Sequence, residues 1–326
     1  MGDMTSVIDA PSPSPLGEPA VDLRGNSRRR WRETRVKVVL LFSVGITLVI
    51  SVAIIASLLG QSIDFVSSIP LDNLWNLDQW APRIGDFDIA TLFVGSLLVT
   101  AIAMIIATPL GLGAAIYLSE YASPRVRRTV KPFLEVMAGI PSIVLGFFAI
   151  AWIGPEIVQK LFSDASAFSL AAAGIGVGLL VTPLVASVSE DALRAVPLSL
   201  REASYGLGAR KLTTVTRIIF PAAISGVVAA MILGISRAIG ETMVVTLAAG
   251  AYGEANFTTN PLDVGMTVTS GIATLASGTD QVAGGAGTAA SSAYNSLFFL
   301  GLLLFIVTFL LNVVGESFVR RIRERY

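Results

Sequence analysis

The segment Ser236-Arg237-Ala238-Ile239-Gly240-Glu241-Thr242 sets an arginine and a glutamate four apart inside an apolar stretch at residues 224–249. A charge near the centre of a helix in hydrocarbon costs roughly 2.5–3.5 kcal/mol on insertion scales, so its presence demands a partner or a function. Residues four apart share a helix face, and Arg237 and Glu241 can partly neutralise one another, an arrangement that by itself would only pin the helix against its neighbours. Their chemistry goes further. A guanidinium offers several N–H donors in a planar fork suited to an oxyanion, while a carboxylate accepts from a hydroxyl. An oxyanion that still carries a proton satisfies both groups; a fully deprotonated one meets an uncompensated negative charge.

Composition excludes most other chemistry. The 326 residues include no Cys and no His, which removes disulfides, thiolate and imidazole metal sites, haem ligation, thiol nucleophiles and Ser/His/Asp triads. No G-x-x-x-x-G-K-[ST] phosphate loop occurs, so the chain cannot bind ATP in that way. The formal charge is zero and argues for no nucleic-acid partner. An enzyme reading would have to rest on carboxylates, Lys, Ser or Tyr alone.

Hydropathy defines the elements that must position the pair. Hydrophobic residues make up 53% of the chain and charged ones 14%, against about 25% charged in a soluble domain. A helix crosses hydrocarbon in about 20 apolar residues, and stretches at about 36–60, 89–118, 133–152, 168–188, 224–249 and 296–314 qualify. The fold class expected is all-α, a membrane bundle of about six transmembrane helices. Pro109, Pro141 and Pro183 fall inside the second, third and fourth stretches, where neighbouring helices and hydroxyl groups can satisfy the freed carbonyls. The small residues from Ala171 to Gly178 let the fourth stretch pack closely.

Residues 1–35 are Pro- and Ser-rich and then basic, which predicts a disordered, basic N-terminal segment. The polar leader is too long for a signal peptide, so the first stretch reads as an uncleaved span. Twenty of the 23 Lys and Arg fall in the N-terminal segment up to Lys37, the second-to-third and fourth-to-fifth loops, and a basic tail at 319–326. Both termini are therefore expected in the cytoplasm, flanking a transmembrane domain at 36–318. The acidic segments at 61–88 and 250–295 then lie outside, the second made flexible by Gly284-Gly285-Ala286-Gly287. Trp75 and Trp80 read as membrane-interface aromatics, and Glu135 as an interfacial group near Arg and Lys neighbours.

The cytoplasmic loop at 189–223 is dense in mixed charge and too long for a minimal connection. Ser199-Leu200-Arg201-Glu202 fits a capping box. Gly206 and Gly208 are candidates for the left-handed residue that closes a short helix, Ala209-Arg210-Lys211 opens another, and Pro221 marks the entry to the fifth span. A helix-turn-helix stiff enough to transmit a push is the predicted product.

Glu202-Ala203-Ser204, three residues, Gly208, nine residues, Ile218, one residue and Phe220-Pro221 together resemble the EAA loop, E-A-A-x3-G-x9-I-x-L-P, of ABC importer permeases. Ser204 stands for Ala and Phe220 for Leu. The resemblance implies a type I ABC importer permease bundle whose loop is a coupling helix seated in a cleft of an ATPase subunit. Glu202, Ala203 and Gly208 would be its contact and hinge positions.

Ala138-Gly139-Ile140-Pro141-Ser142-Ile143-Val144-Leu145-Gly146-Phe147-Phe148 and Arg237-Ala238-Ile239-Gly240-Glu241-Thr242-Met243-Val244-Val245 are similar to the Pst phosphate permeases, in particular to their PstC branch. That similarity runs from about residue 36 to the C-terminus. It implies import of inorganic phosphate, with Arg237 and Glu241 as translocation residues. It further implies a second, PstA-like permease, two ATPase subunits that bind ATP and Mg, an external phosphate-binding protein and a bacterial plasma membrane, with no cofactor in this chain. Sulfate or molybdate as cargo, or an ATP-independent transporter or channel, are the alternatives.

Overall fold

The computed structural model describes residues 27–278 and 288–323. The disorder expected within residues 1–26 and the Gly284–Gly287 run lie outside them. The chain divides into two units, Met1–Ile54 and Ile55–Tyr326. In the first, the described part is the N-terminal portion of helix α1 (Ser27–Ser68). Its large apolar side chains from Val36 to Ile54 are exposed, as hydrocarbon solvent allows. Its Ser43, Thr47 and Ser51 hydroxyls donate to carbonyls one turn back, so no side-chain hydroxyl in this stretch needs water.

The second unit begins with the end of α1 and a short antiparallel sheet, in which β1 (Gln79–Ala81) lies between β2 (Asp86–Phe87) and β3 (Ala255–Asn256). Trp80, expected at a membrane interface, instead sits at the sheet's centre. It faces Phe87 and Ala255 across the strands, is 1% exposed, and meets Phe87 edge-on at 5.9 Å. A ring of that size stabilises most when it is buried against others. Trp75 is exposed.

Helix α2 (Ile89–Ile116) starts at Asp88, whose carboxylate accepts from the Thr91 N–H, and passes Pro109 before ending in a π turn, Tyr117–Tyr121. Helix α3 (Pro124–Ala138) follows, then α4 (Ser142–Phe148), extended by a π segment Ala149–Val158 and a last turn α5 (Gln159–Leu161). Helix α6 (Leu170–Arg194) is the buried centre of this unit. A Cβ on Gly174 would stand 2.7 Å from Ile102 and one on Gly178 3.0 Å from the Ala103 carbonyl, so α6 and α2 approach at a distance only glycine permits. After it come α7 (Leu198–Gly206), α8 (Lys211–Thr214), a π segment Val215–Ile219, α9 (Phe220–Ile239), α10 (Met243–Ala248), α11 (Val268–Ser277) and α12 (Thr288–Arg323).

Among the described residues, six helices are long and apolar enough to cross a membrane: Glu33–Ser68, Ile89–Tyr121, Ser142–Leu161, Leu170–Arg194, Lys211–Ile239 and Ser292–Arg320. Two differ from expectation in an informative way. The predicted third span, 133–152, is cut at Gly139-Ile140-Pro141: Pro141 adopts φ −57°, ψ 130° and cannot continue α3. Its first part belongs to α3, a basic amphipathic helix with no buried residue, and the span proper runs on to Leu161. The predicted fifth span, 224–249, is cut at Gly240-Glu241-Thr242. The segment at 250–295 is also more than a loop, because α11 packs there against α2, α10 and α12. Basic residues to Arg323 continue α12 in place of a separate tail.

Candidate functional site

The break in the fifth span separates the two charges. Arg237 lies in the last turn of α9, and Gly240 closes that helix with its N–H 3.2 Å from the Ser236 carbonyl. Helix α10 starts afresh at Met243, with the Thr246 N–H donating to the Thr242 carbonyl at 2.8 Å. Glu241 falls between the two helices and is held at three points, the first its own N–H, which donates to the Ala238 carbonyl at 3.3 Å. Its Oε1 accepts from the Val244 N–H at 3.3 Å, and its backbone carbonyl accepts from the Thr269 hydroxyl at 2.7 Å. The intrahelical Arg237–Glu241 pair expected from their spacing is therefore not formed. The helix stops between them, and the carboxylate instead serves a free N–H at the start of α10.

Arg237 is exposed, and its guanidinium makes no hydrogen bond or ion pair among the described residues. The Glu241 Oε2 is likewise without a hydrogen bond among them, on a half-buried residue. Beside this break lies the other one. Helix α4 packs on α10, where a Cβ on Gly146 would meet Leu247 at 2.8 Å and the Met243 carbonyl at 3.3 Å. Ile143, Val144, Phe147 and Met243 around them present exposed apolar side chains. Two interrupted helices, packed together and carrying an open guanidinium and a half-open carboxylate, can offer donors and one acceptor to an anion.

The second candidate region is the α6–α9 connection. Its first helix begins at Leu198 with Pro197 before it and no side-chain cap, so the predicted Ser199/Glu202 capping box is absent; Pro197 lacks an N–H and sets the entry angle alone. Glu202 and Ala203 are exposed on α7. The helix ends in a Schellman closure: the Ala209 N–H reaches the Ser204 carbonyl at 3.2 Å, the Gly208 N–H reaches that of Tyr205 at 2.9 Å, and Gly208 has φ +76°. Nothing lies within 4 Å of where a Cβ on Gly208 would stand, so backbone conformation and not space calls for glycine there. Gly206 is helical. Ser204, where Ala is usual in the resembled motif, has a buried hydroxyl 2.9 Å from that of Thr214, which ties α7 to α8. Pro221 lies inside a continuous helix, Lys211–Ile239, which widens to a π turn just before it.

Ion pairs fasten this hairpin to the end of the second span and α3 to α6. Arg201 of α7 donates through Nη1 to both carboxylate oxygens of Glu120, at 2.6 and 2.7 Å, and through Nη2 to the Leu193 carbonyl at 2.8 Å. Glu190 of α6, with its side chain 1% exposed, accepts from Arg127 at 2.7 Å and Lys131 at 2.8 Å, and Lys131 also reaches Asp191 at 2.6 Å. Burial alone would lower the Lys131 pKa, but hydrogen bonds to Asp191 and Glu190 together with their charges raise it above the ordinary value. Glu135 borders a cavity of about 480 Å³ with Arg127, Arg128, Lys131 and Arg194, in keeping with its reading as a group near basic neighbours. Sequence reasoning missed these pairs. The signal available was Glu190-Asp191 at one end of the fourth span, in a region otherwise rich in Arg and Lys.

The family described as "Binding-protein-dependent transport system inner membrane component" matches residues 107–326, which include the hairpin and both breaks. The phosphate transport system permease protein PstC of Pasteurella multocida (strain Pm70) is 30% identical over 291 residues, covering 84% of this chain and 87% of that protein. The phosphate transport system permease protein PstA 1 of Mycobacterium tuberculosis (strain CDC 1551 / Oshkosh) is 41% identical over 157 residues, 48% of this chain and 49% of that one. A solved structure of the MetNI methionine ABC transporter is 21% identical, covers 70% of this chain and 91% of its own, and gives a TM-score of 0.48.

Proposed function

Because the chain belongs to the family of binding-protein-dependent transport system inner membrane components, we propose that it is the permease through which an ATP-driven importer passes inorganic phosphate. It pairs with a second, PstA-like permease, while two ATPase subunits that bind ATP and Mg and an external phosphate-binding protein complete the assembly in a bacterial plasma membrane. Both termini face the cytoplasm.

One observation carries the reading: the open guanidinium of Arg237 and the free oxygen of Glu241 flank a helix break within an apolar span. Dihydrogen or hydrogen phosphate accepts from the guanidinium and donates its P–OH to the carboxylate, whereas sulfate has no proton to give. Similarity to a PstC protein over most of both chains supports phosphate as the cargo. The exposed apolar face formed by Ile143, Val144, Phe147 and Met243 beside the break suits a second permease, so that the pathway lies between the two.

Coupling follows from the hairpin. Helix α7 presents Glu202 and Ala203 to an ATPase cleft, and Gly208 is the bend behind them. Closure of the ATPases displaces α7, and the Arg201 contacts carry that displacement to Glu120 at the end of the second span and to Leu193 in α6. Helix α6 packs directly on α9 and α10, so the movement reaches the break. The inward- and outward-open states need differ by only a few kcal/mol in their interactions with ATP and loaded binding protein.

Uptake of radiolabelled phosphate, with and without excess sulfate, by a strain lacking this chain and by the same strain carrying it tests the cargo. Phosphate uptake that depends on the chain and resists sulfate is the expected result; uptake unaffected by its deletion would remove phosphate as the cargo. Recovery of an ATP-hydrolysing subunit with the detergent-solubilised chain tests the coupling.

A further inference from the structure

We infer that Thr269 is a positioning residue for the transport site, fixing Glu241 through a directed chain of hydrogen bonds that begins in the cap of α11. This rests on the reading of Glu241 as part of the phosphate pathway. Thr267, Thr269 and Ser270 are all buried. The Ser270 N–H donates to the Thr267 hydroxyl at 3.2 Å, the Thr267 and Thr269 hydroxyls are 3.0 Å apart, and the Thr269 hydroxyl lies 2.7 Å from the Glu241 carbonyl.

Proton bookkeeping gives this chain one direction. A carbonyl only accepts, so the single hydroxyl hydrogen of Thr269 is committed to Glu241, and Thr267 must be the donor between the two threonines. The Ser270 hydroxyl donates to the Thr267 carbonyl at 3.0 Å and accepts from the Thr267 N–H at 2.8 Å; it also lies 3.3 Å from the Thr267 hydroxyl, a longer contact than the 3.0 Å to Thr269, so the Thr267 hydrogen goes to the nearer oxygen. Helix α11 is itself anchored to α2, because the Val268 N–H donates to the Ser96 hydroxyl at 3.0 Å and that hydroxyl donates to the Leu92 carbonyl. The Glu241 carbonyl belongs to neither α9 nor α10, and a helical partner is not built in for it. Thr269 therefore holds the non-helical link between α9 and α10, and with it the direction of the Glu241 carboxylate.

The test uses the whole importer purified from native membranes and reconstituted in proteoliposomes with its binding protein, comparing wild type, Thr269→Val and Thr269→Ser. Thr269→Val should raise the ATP hydrolysed per phosphate moved by about tenfold, the scale of one lost hydrogen bond at a positioned group, while Thr269→Ser stays within about twofold of wild type. Equal ratios for Thr269→Val and wild type overturn the inference, as do equal losses in the Val and Ser variants, which would assign the effect to packing. If Thr269→Val does not accumulate, Thr269→Ala is read against Thr269→Ser by the same criteria, and failure of both makes the hydroxyl a folding requirement and overturns the positioning role. A wild-type complex that moves no phosphate refutes the cargo, a separate outcome from the Val and Ser contrast.

Discussion

Arg201 and Glu120 stand 81 residues apart in sequence, and the Arg201 Nη1 lies 2.6 and 2.7 Å from the two oxygens of the Glu120 carboxylate. The side chains are 14% and 4% exposed. Glu120 also accepts from the Ser119 hydroxyl at 2.8 Å, and Arg201 spends another nitrogen on the Leu193 carbonyl. A desolvated pair of this kind offsets its own desolvation only while both members are present. Its geometric effect is to fasten α7 to the ends of two spans, through contacts that the planar fork of arginine can make at the same time and a lysine cannot.

Loss of one member should therefore be costly and loss of both much less so. Arg201→Met or Glu120→Leu alone should destabilise the detergent-solubilised chain by roughly 3 kcal/mol, and the double variant by about 1 kcal/mol or less. Thermal unfolding of the four proteins checks this. Transport by the double variant should still fall, because α7 is stable but no longer fastened; full transport would detach this pair from coupling.

Gly208 is held at φ +76° with open space around its Cα. Alanine there adds about 1 kcal/mol of left-handed strain without a clash, and aspartate adds bulk and charge beside α7. Gly208→Asp should accumulate in the membrane but lose association with the ATPase, whereas Gly208→Ala should keep most of it. Co-purification of the ATPase with each variant is the measurement, and unchanged association in Gly208→Asp would remove the bend from the interface.

How far these features could be read in the residues depended on range. Arg237 and Glu241 stand out because charge in hydrocarbon is costly wherever it falls, and Gly208 because its offset from Glu202 is a fixed short spacing. Helical periodicity, however, says which residues share a face and not where the helix stops. The i, i+4 pairing of Arg237 and Glu241 thus failed at Gly240, whose closing role was visible only as a glycine between Ile239 and Glu241. Trp80 looked like an interface aromatic because nothing local announces that Phe87 and Ala255 flank it across a sheet. Helix α11 lies in a segment whose glycines and acidic residues point to an outer loop, although Thr267 and Ser270 cap it before apolar Ile272 and Leu275. The Glu120–Arg201 and Lys131–Glu190 pairs are made by the packing of α2, α3, α6 and α7, and no spacing rule encodes them.

The raised pKa of Lys131 fixes a sign for alkaline stability. Its cluster with Glu190 and Asp191 favours the charged amine in the folded chain. The stabilisation is fully present below the ordinary lysine value of 10.5 and is lost as pH rises through the higher folded value. Stability from pH 7 to 10 should consequently show no loss attributable to Lys131, with a decline above about pH 10.5 that Lys131→Met lacks. Lys131→Met should itself be less stable at pH 7, because Glu190 keeps Arg127 but loses its second buried contact. Thermal melts of both proteins across that range would show it; parallel curves would remove the contribution linked to Lys131 titration, and coincident ones any contribution to folding.

The site variants separate binding from architecture because the Arg237 guanidinium has no partner among the described residues and Glu241 has three identifiable ones, the Ala238 carbonyl, the Val244 N–H and the Thr269 hydroxyl. Arg237→Gln removes an exposed group, so accumulation and melting temperature should match wild type while phosphate uptake falls by at least about a hundredfold, the scale of a lost charge-assisted contact in a dry site. Glu241→Gln keeps an oxygen to accept from the Val244 N–H and leaves the Thr269 contact to the backbone untouched, so it too should assemble. It should lose uptake and, with its negative charge gone, the penalty against sulfate, so that sulfate inhibits residual phosphate uptake more strongly than in wild type. Normal uptake by both variants would make the pair a structural feature of the break, and sulfate sensitivity unchanged in Glu241→Gln would place discrimination elsewhere in the importer.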